Sequence, residues 1–132
     1  MARILVVDDD PQITELIRIA LERMGHEVEV ALSGHEAIAS AAGSHPELIL
    51  LDFLMPDMTG GEVLEYIRSD PVIADTPVVL ATGELDAASG LEVSEVLTKP
   101  YKLEELYGTV AEVLGDPGTG QGSDYADQQI GQ

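Results

Sequence analysis

Five short apolar runs punctuate the chain, and stretches with apolar residues at helical spacing lie between and after them. Residues 3–8, RILVVD, are the first run, rich in the β-branched residues that favour strands. Asp10-Pro11 follows as a helix cap with proline at the first helical position. Ile13, Leu16, Ile17, Ala20, Leu21 and Met24 then recur at i, i+3, i+4, a pattern that predicts a helix ended by Gly25. EVEVA, 27–31, alternates as a strand does. Ser33 and Glu36 form a capping box that opens a helix over about 34–43. ELILLD, 47–52, is a strand apolar on both faces. Thr59 and Glu62 form a second capping box, opening a helix that runs to about Ser69. TPVVLAT, 76–82, and SEVLT, 94–98, supply two more strands, and Leu103, Leu106, Tyr107, Val110, Val113 and Leu114 mark a last helix.

Strands that alternate with helices, and that are apolar throughout, belong in a parallel sheet covered on both faces. The prediction is therefore an α/β fold with a doubly wound, five-stranded parallel sheet flanked by helices. Its fourth crossover is short, because Gly83 to Val93 must hold loop, helix and loop together. A shortened fourth helix of one or two turns is expected there, starting near Asp86 and weakened by Gly90. Residues 1–114 form one domain. From Gly115 onward Gly, Asp and Gln dominate, and 115–132 is expected to be a disordered acidic tail.

Composition sharpens this picture. At 132 residues and 45% hydrophobic the chain can build a real core, which must be aliphatic because aromatics are scarce. Without cysteine there is no disulfide framework and no thiolate metal site; a reducing, cytoplasmic compartment fits. The first apolar run is too short for a signal peptide, and none approaches a membrane span. With 25 acidic against 6 basic residues, a net charge of −19 repels nucleic acid and anionic lipid, so neither is an expected partner. Only two lysines occur, Lys99 and Lys102, which makes the position of each informative.

In a parallel sheet, ligands sit beyond the carboxyl ends of the strands. Asp8, Asp9 and Asp10 follow the first strand, Asp52 ends the third, Thr82-Gly83 the fourth, and Thr98-Lys99-Pro100 the fifth. Singly, an aspartate after a strand is usually a cap, a threonine a strand residue and a lysine a surface charge. Together they put three carboxylates, a hydroxyl and a lysine on one rim. Crowded carboxylates raise one another's pKa, and a hard divalent cation relieves the repulsion. Oxygen donors without sulfur or histidine suit Mg²⁺.

ILVVDDDP, LILLDFLMPDMTGGEV, VVLATG and VLTKPY together resemble the four motifs of receiver domains of two-component response regulators, in order, across about residues 1–114. The resemblance implies the flavodoxin-like receiver fold and a role for each rim residue. Asp52 is the implied phosphoacceptor, receiving a phosphoryl group from a histidine kinase or a histidine phosphotransfer protein. Asp9 and Asp52 are implied ligands of Mg²⁺, with the Leu54 backbone carbonyl as a further ligand and Asp8 acting through water. Lys99 is implied to pair with Asp52 and then with the phosphoryl group. Thr82 would bind that group as the switch, and Gly83 would leave its approach open. Lys99-Pro100 is an implied cis peptide bond.

Three positions depart from the family pattern. Val96 stands three before Lys99, where many receivers carry an aromatic ring that rotates on phosphorylation. The fourth crossover is short. Leu54, two past Asp52, cannot orient a hydrolytic water. The implied protein is not an enzyme in the turnover sense; it accepts a phosphoryl group and slowly hydrolyses its own aspartyl phosphate. Ile13 is either simply buried or, since Leu16 and Ile17 one turn on can fill the core without it, part of a docking patch for the phosphodonor. The region around the fifth strand carries only Lys99 and Lys102 against many acids, which implies a monomer. A stand-alone receiver and a piece of a hybrid kinase both fit. Two other readings remain: a degenerate receiver that only binds partners, and a small aspartyl phosphatase opening on Asp8-x-Asp10. The first would typically lack Lys99 or Asp52, and the second family prefers Thr or Val where Pro11-Gln12 stands.

Overall fold

The computed structural model describes residues 1–115; the expected tail lies, from residue 116 on, outside the described residues. Five strands, β1 (Arg3–Val7), β2 (Glu27–Ala31), β3 (Leu48–Asp52), β4 (Val78–Thr82) and β5 (Glu95–Thr98), pair in parallel in the order β2-β1-β3-β4-β5. Four helices connect or follow them: α1 (Pro11–Arg23), α2 (Gly34–Ser44), α3 (Gly60–Ser69) and α4 (Leu103–Leu114). The elements lie where the apolar pattern predicts them. Strand β4 starts two residues later than expected, at Val78, because Pro77 has no N–H to offer the ladder and enters it only as an acceptor from Ile49.

Alternation along each strand divides the core into two. Ile4, Val6, Leu48, Leu50, Val79 and Leu97 pack against Ile17, Leu21, Leu106 and Val110 from α1 and α4. Leu5, Val7, Ile49, Leu51, Val78 and Leu80 pack against Ala37, Ala41, Val63, Leu64 and Ile67 from α2 and α3 on the other face. Strands β1, β3 and β4, buried on both faces, are the sheet's rigid centre.

The helix caps follow the sequence. The Asp10 carboxylate accepts from Gln12 N, Ser33 Oγ from Glu36 N, and Thr59 and Glu62 complete a reciprocal box. The Glu36 side chain reaches one residue further back than such a box requires, accepting from Leu32 N at 2.9 Å. Helix α1 differs from expectation in its orientation. Its buried line is Thr14, Ile17, Ala20 and Leu21, so Leu16 does not fill the core but is 53% exposed, and Ile13 is 38% exposed beside it. Thr14 is accommodated because its hydroxyl donates to Pro11 O at 3.0 Å.

The fourth crossover shortens beyond the expected turn or two of α-helix. It holds a single 3₁₀ turn, Leu85–Ala88, and Gly90 then takes a φ of 79° that turns the chain back to the sheet. Ala88, Leu91 and Val93 pack on the core cluster of α2 and α3. Arg68 at the end of α3 ties the region together, donating to Ala74 O and Thr76 O at 2.8 Å and to Glu92 O at 2.9 Å.

Candidate functional site

The strand order reverses between β1 and β3, and the crevice beyond their carboxyl ends is where such sheets bind ligands. Asp52 is the last residue of β3, held in the ladder opposite Ala81, and the residue is only 6% exposed. Asp8 follows β1, anchored as its N–H donates to Ala31 O at 3.2 Å and its Oδ1 accepts from Asp10 N at 3.0 Å. Carboxylate oxygens of Asp8, Asp9 and Asp52 all lie within 4.8 Å of one another; Asp8 and Asp52 are buried and Asp9 is exposed.

Lys99 reaches into this cluster from the turn after β5. Its N–H donates to Thr82 O at 2.8 Å, and Lys99-Pro100 is cis. Its Nζ donates to Asp52 Oδ1 at 2.7 Å and lies 3.5 Å from Asp8 Oδ2. One ammonium thus faces two buried carboxylates. Burial pushes the Asp52 carboxyl above its ordinary pKa; the hydrogen bond from Lys99 opposes this, and the charges of Asp8 and Asp9 add to it. Burial by itself lowers the Lys99 pKa, but the hydrogen bond and charge of Asp52, with the charge of Asp8, outweigh it and leave the ammonium above its ordinary value. Tyr101, half-buried nearby, has its phenol pushed up chiefly by burial.

Thr82 is buried at the end of β4, its hydroxyl donating to Glu84 O at 3.3 Å and accepting from Glu84 N at 3.1 Å. A side chain at Gly83 would meet nothing within 4 Å, so the space beside Thr82 is open. Leu54 points outward, 70% exposed. Val96 is half-buried on β5 opposite Leu80, with no aromatic ring at that place.

The structure brings Asp8, Asp9, Asp52 and Lys99 into one cluster and sets Thr82 on the same rim. The donor set is all oxygen, two buried carboxylates and one exposed, which fits a hard cation such as Mg²⁺. Two features escape local sequence patterns. One is the approach of Lys99 to Asp8 as well as Asp52. The other is the contact between Asp57, in the loop after β3, and the start of α2.

Residues 4–111 match the family model of the response regulator receiver domain. The chain belongs to this family. This receiver is 38% identical over 119 residues to the DNA-binding dual master transcriptional regulator RpaA of Synechocystis sp., covering 86% of this chain and 49% of that protein. The chain spans about half the length of the first curated relatives it matches. Among solved structures it resembles the chemotaxis response regulator CheY4 of Vibrio cholerae, with a TM-score of 0.81 and 32% identity over 86% of this chain and 98% of that one. It also resembles the response regulator TrrA of Thermotoga maritima in complex with Mg²⁺-BeF, with a TM-score of 0.77 and 34% identity over 86% of this chain and 99% of that one. Among the described residues no helix of this receiver is long and apolar enough to cross a membrane.

Proposed function

We propose that this receiver accepts a phosphoryl group on Asp52 from a phosphohistidine of a histidine kinase or a histidine phosphotransfer protein, in the cytoplasm. The observation that supports this most directly is the 2.7 Å hydrogen bond from Lys99 Nζ to Asp52 within a cluster of three carboxylates. An Asp52 oxygen attacks phosphorus, the bond from phosphorus to the donor's imidazole nitrogen breaks, and that nitrogen keeps the electron pair. The product is an acyl phosphate. Lys99 is already in place to pair with a phosphoryl oxygen, and the Thr82 hydroxyl, held by Glu84, can turn to donate to another. Asp9, Asp52 and the Leu54 backbone carbonyl would hold Mg²⁺, with Asp8 acting through water. Bound there, the ion supplies charge neutralisation for the crowded oxygens.

The donor docks partly through the exposed Ile13, beside the rim. The receiver works as a monomer, since the region around β5 has only Lys99 and Lys102 as cations, Lys99 is held in the site, and like charges repel across a two-fold axis. Light scattering of the beryllofluoride-bound form checks the monomer mass. The receiver hydrolyses its own acyl phosphate slowly and turns over no separate substrate.

The test is mass spectrometry after incubation with acetyl phosphate or phosphoramidate. One phosphoryl group per chain is expected with Mg²⁺, and none in EDTA or in Asp52→Ala. Full labelling of Asp52→Ala, or labelling in EDTA, rejects the assignment. A wild type that takes no label under any of these conditions is instead a degenerate receiver that acts by binding alone.

A further inference from the structure

The loop of residues 53–59 leaves Asp52 and leads into α3. Its ends are held by the backbone: Phe53 N donates to Ala81 O at 3.0 Å, and Gly60 N donates to Phe53 O at 2.7 Å. A side chain at Gly60 would stand 2.9 Å from both Asp52 O and Phe53 Cα, so this closure needs glycine.

The middle of the loop is held by a different element. Asp57 Oδ1 accepts from Gly34 N at 3.0 Å, and its Oδ2 accepts from His35 N at 3.0 Å with the His35 ring Nδ1 at 2.5 Å. Those two amides are the first of α2 and have no acceptor inside the helix. Ser33 Oγ takes the third, from Glu36, at 3.1 Å. The start of α2 is thus capped by two side chains, one local and one delivered from the phosphoacceptor loop. The amides of Gly34 and His35 lower the Asp57 carboxyl to about 2, so it is ionised at neutral pH and complements the helix dipole. Met58 packs into the same contact. A Cβ on Gly34 would lie 2.1 Å from Met58 Cγ, which makes the absence of a side chain at 34 a condition of the docking. Helix α2 is itself fixed, with Ala37 and Ala41 fully buried against Leu5 and Val7.

Leu54 lies between the fixed points at Phe53 and Asp57. We infer that Asp57 is a positioning residue. Its two-pronged cap on α2, with Met58 seated over Gly34, sets where the Leu54 carbonyl stands relative to Asp9 and Asp52, and so sets the affinity for Mg²⁺. This rests on the phosphoacceptor reading above. Ligand groups tolerate displacements of only about 0.5 Å before function suffers, which is why a contact several residues away matters.

The experiment uses the whole chain with Asp57→Ala, Asp57→Asn and Gly34→Ala. Two quantities are measured against Mg²⁺ concentration: the extent of Asp52 labelling by acetyl phosphate, and the rise in thermal unfolding midpoint with no donor present. In Asp57→Ala the half-saturating Mg²⁺ concentration should increase about tenfold by both measures, with full labelling recovered at saturation. Asp57→Asn keeps one acceptor and should show a smaller increase, about threefold. Gly34→Ala, which pushes Met58 away, should move the same way. A purely structural role lowers the midpoint without Mg²⁺ and leaves the half-saturating concentration unchanged; that result in folded Asp57→Ala overturns the inference. If Asp57→Ala does not fold, an unchanged value in Asp57→Asn overturns it equally. A wild type indifferent to Mg²⁺ in both measurements overturns the phosphoacceptor reading along with it.

Discussion

Lys99 and Asp52 are 47 positions apart in the chain and meet through a 2.7 Å hydrogen bond beyond the carboxyl ends of the strands. Burial, the largest influence, and neighbouring charge push the pKa of this carboxyl upward, and the contact opposes them. Nucleophilic attack needs the ionised form, so labelling by phosphoramidate should fall as pH drops through a value above the ordinary carboxylate range. Lys99→Met removes the opposing influence and should shift this acid limb to higher pH. At neutral pH the rate should fall by about 100-fold, the usual cost of removing one group that stabilises developing oxygen charge. An acid limb that does not move would show that Lys99 does not govern Asp52 ionisation.

The same shift bears on stability. The folded pKa of Asp52 lies above its unfolded value, so between the two the folded state binds more protons. Stability therefore declines as pH rises through that window, and the ionised residue is a net cost at neutral pH. Asp52→Asn keeps an acceptor for Lys99 and removes the charge. Its unfolding midpoint at neutral pH, without Mg²⁺, should exceed that of wild type. At acid pH, where Asp52 is protonated in both states, the difference should vanish.

Persistence of the acyl phosphate depends on a water held in line behind phosphorus. The exposed Leu54 side chain offers that water no hydrogen bond, and the Glu84 N–H is engaged by Thr82. Leu54→Asn should speed loss of the label roughly three- to tenfold, below the 10²- to 10⁴-fold typical of a fully positioned acid or base. Decay is followed after removal of the donor at saturating Mg²⁺. An unchanged rate would place control of water access elsewhere.

Ile13 and Leu16 present exposed apolar surface on α1, next to the rim. Ile13→Ser should slow phosphotransfer from the donor protein about tenfold, the loss of one interface anchor. Because Ile13 is already partly exposed, stability should change by no more than about 0.5 kcal/mol. Labelling by acetyl phosphate, which needs no docking, should be unaffected. Equal loss with both donors would contradict a docking role.

Arg68 bonds three carbonyls that belong to the loop before β4 and to the short crossover. Arg68→Ala should destabilise the fold by about 2 kcal/mol, as bonds to a charged group are lost. Arg68→Lys should recover only part of this, since an ammonium cannot span the same fork. Chemical denaturation reads both.

The rim was legible in the sequence because a parallel sheet lines up the carboxyl ends of its strands. Once β1, β3, β4 and β5 are recognised, Asp8, Asp9, Asp52, Thr82 and Lys99 must converge. What escaped were properties that no local pattern encodes. Leu16 fits the helical period as well as Ile17 does, yet the burial of Thr14 rotates α1 and leaves Leu16 outside. Asp57 reads as a polar turn residue; its role as a cap for α2 depends on how two loops meet across 22 and 23 positions. The crossover was seen to be short, but its settling into a 3₁₀ turn, followed by the positive φ of Gly90 and the bond from Arg68 to Glu92 O, has no local sequence signature.

That single turn has a mechanical consequence. A full crossover helix is a lever arm: a small movement at its root, beside Thr82, sweeps its far end through a larger distance. Residues 85–88 are too few to amplify anything. A change in the hydrogen bonds of Thr82 would have no crossover helix to carry it away from the rim; under the function proposed above, a partner would read the phosphoryl group at the rim itself.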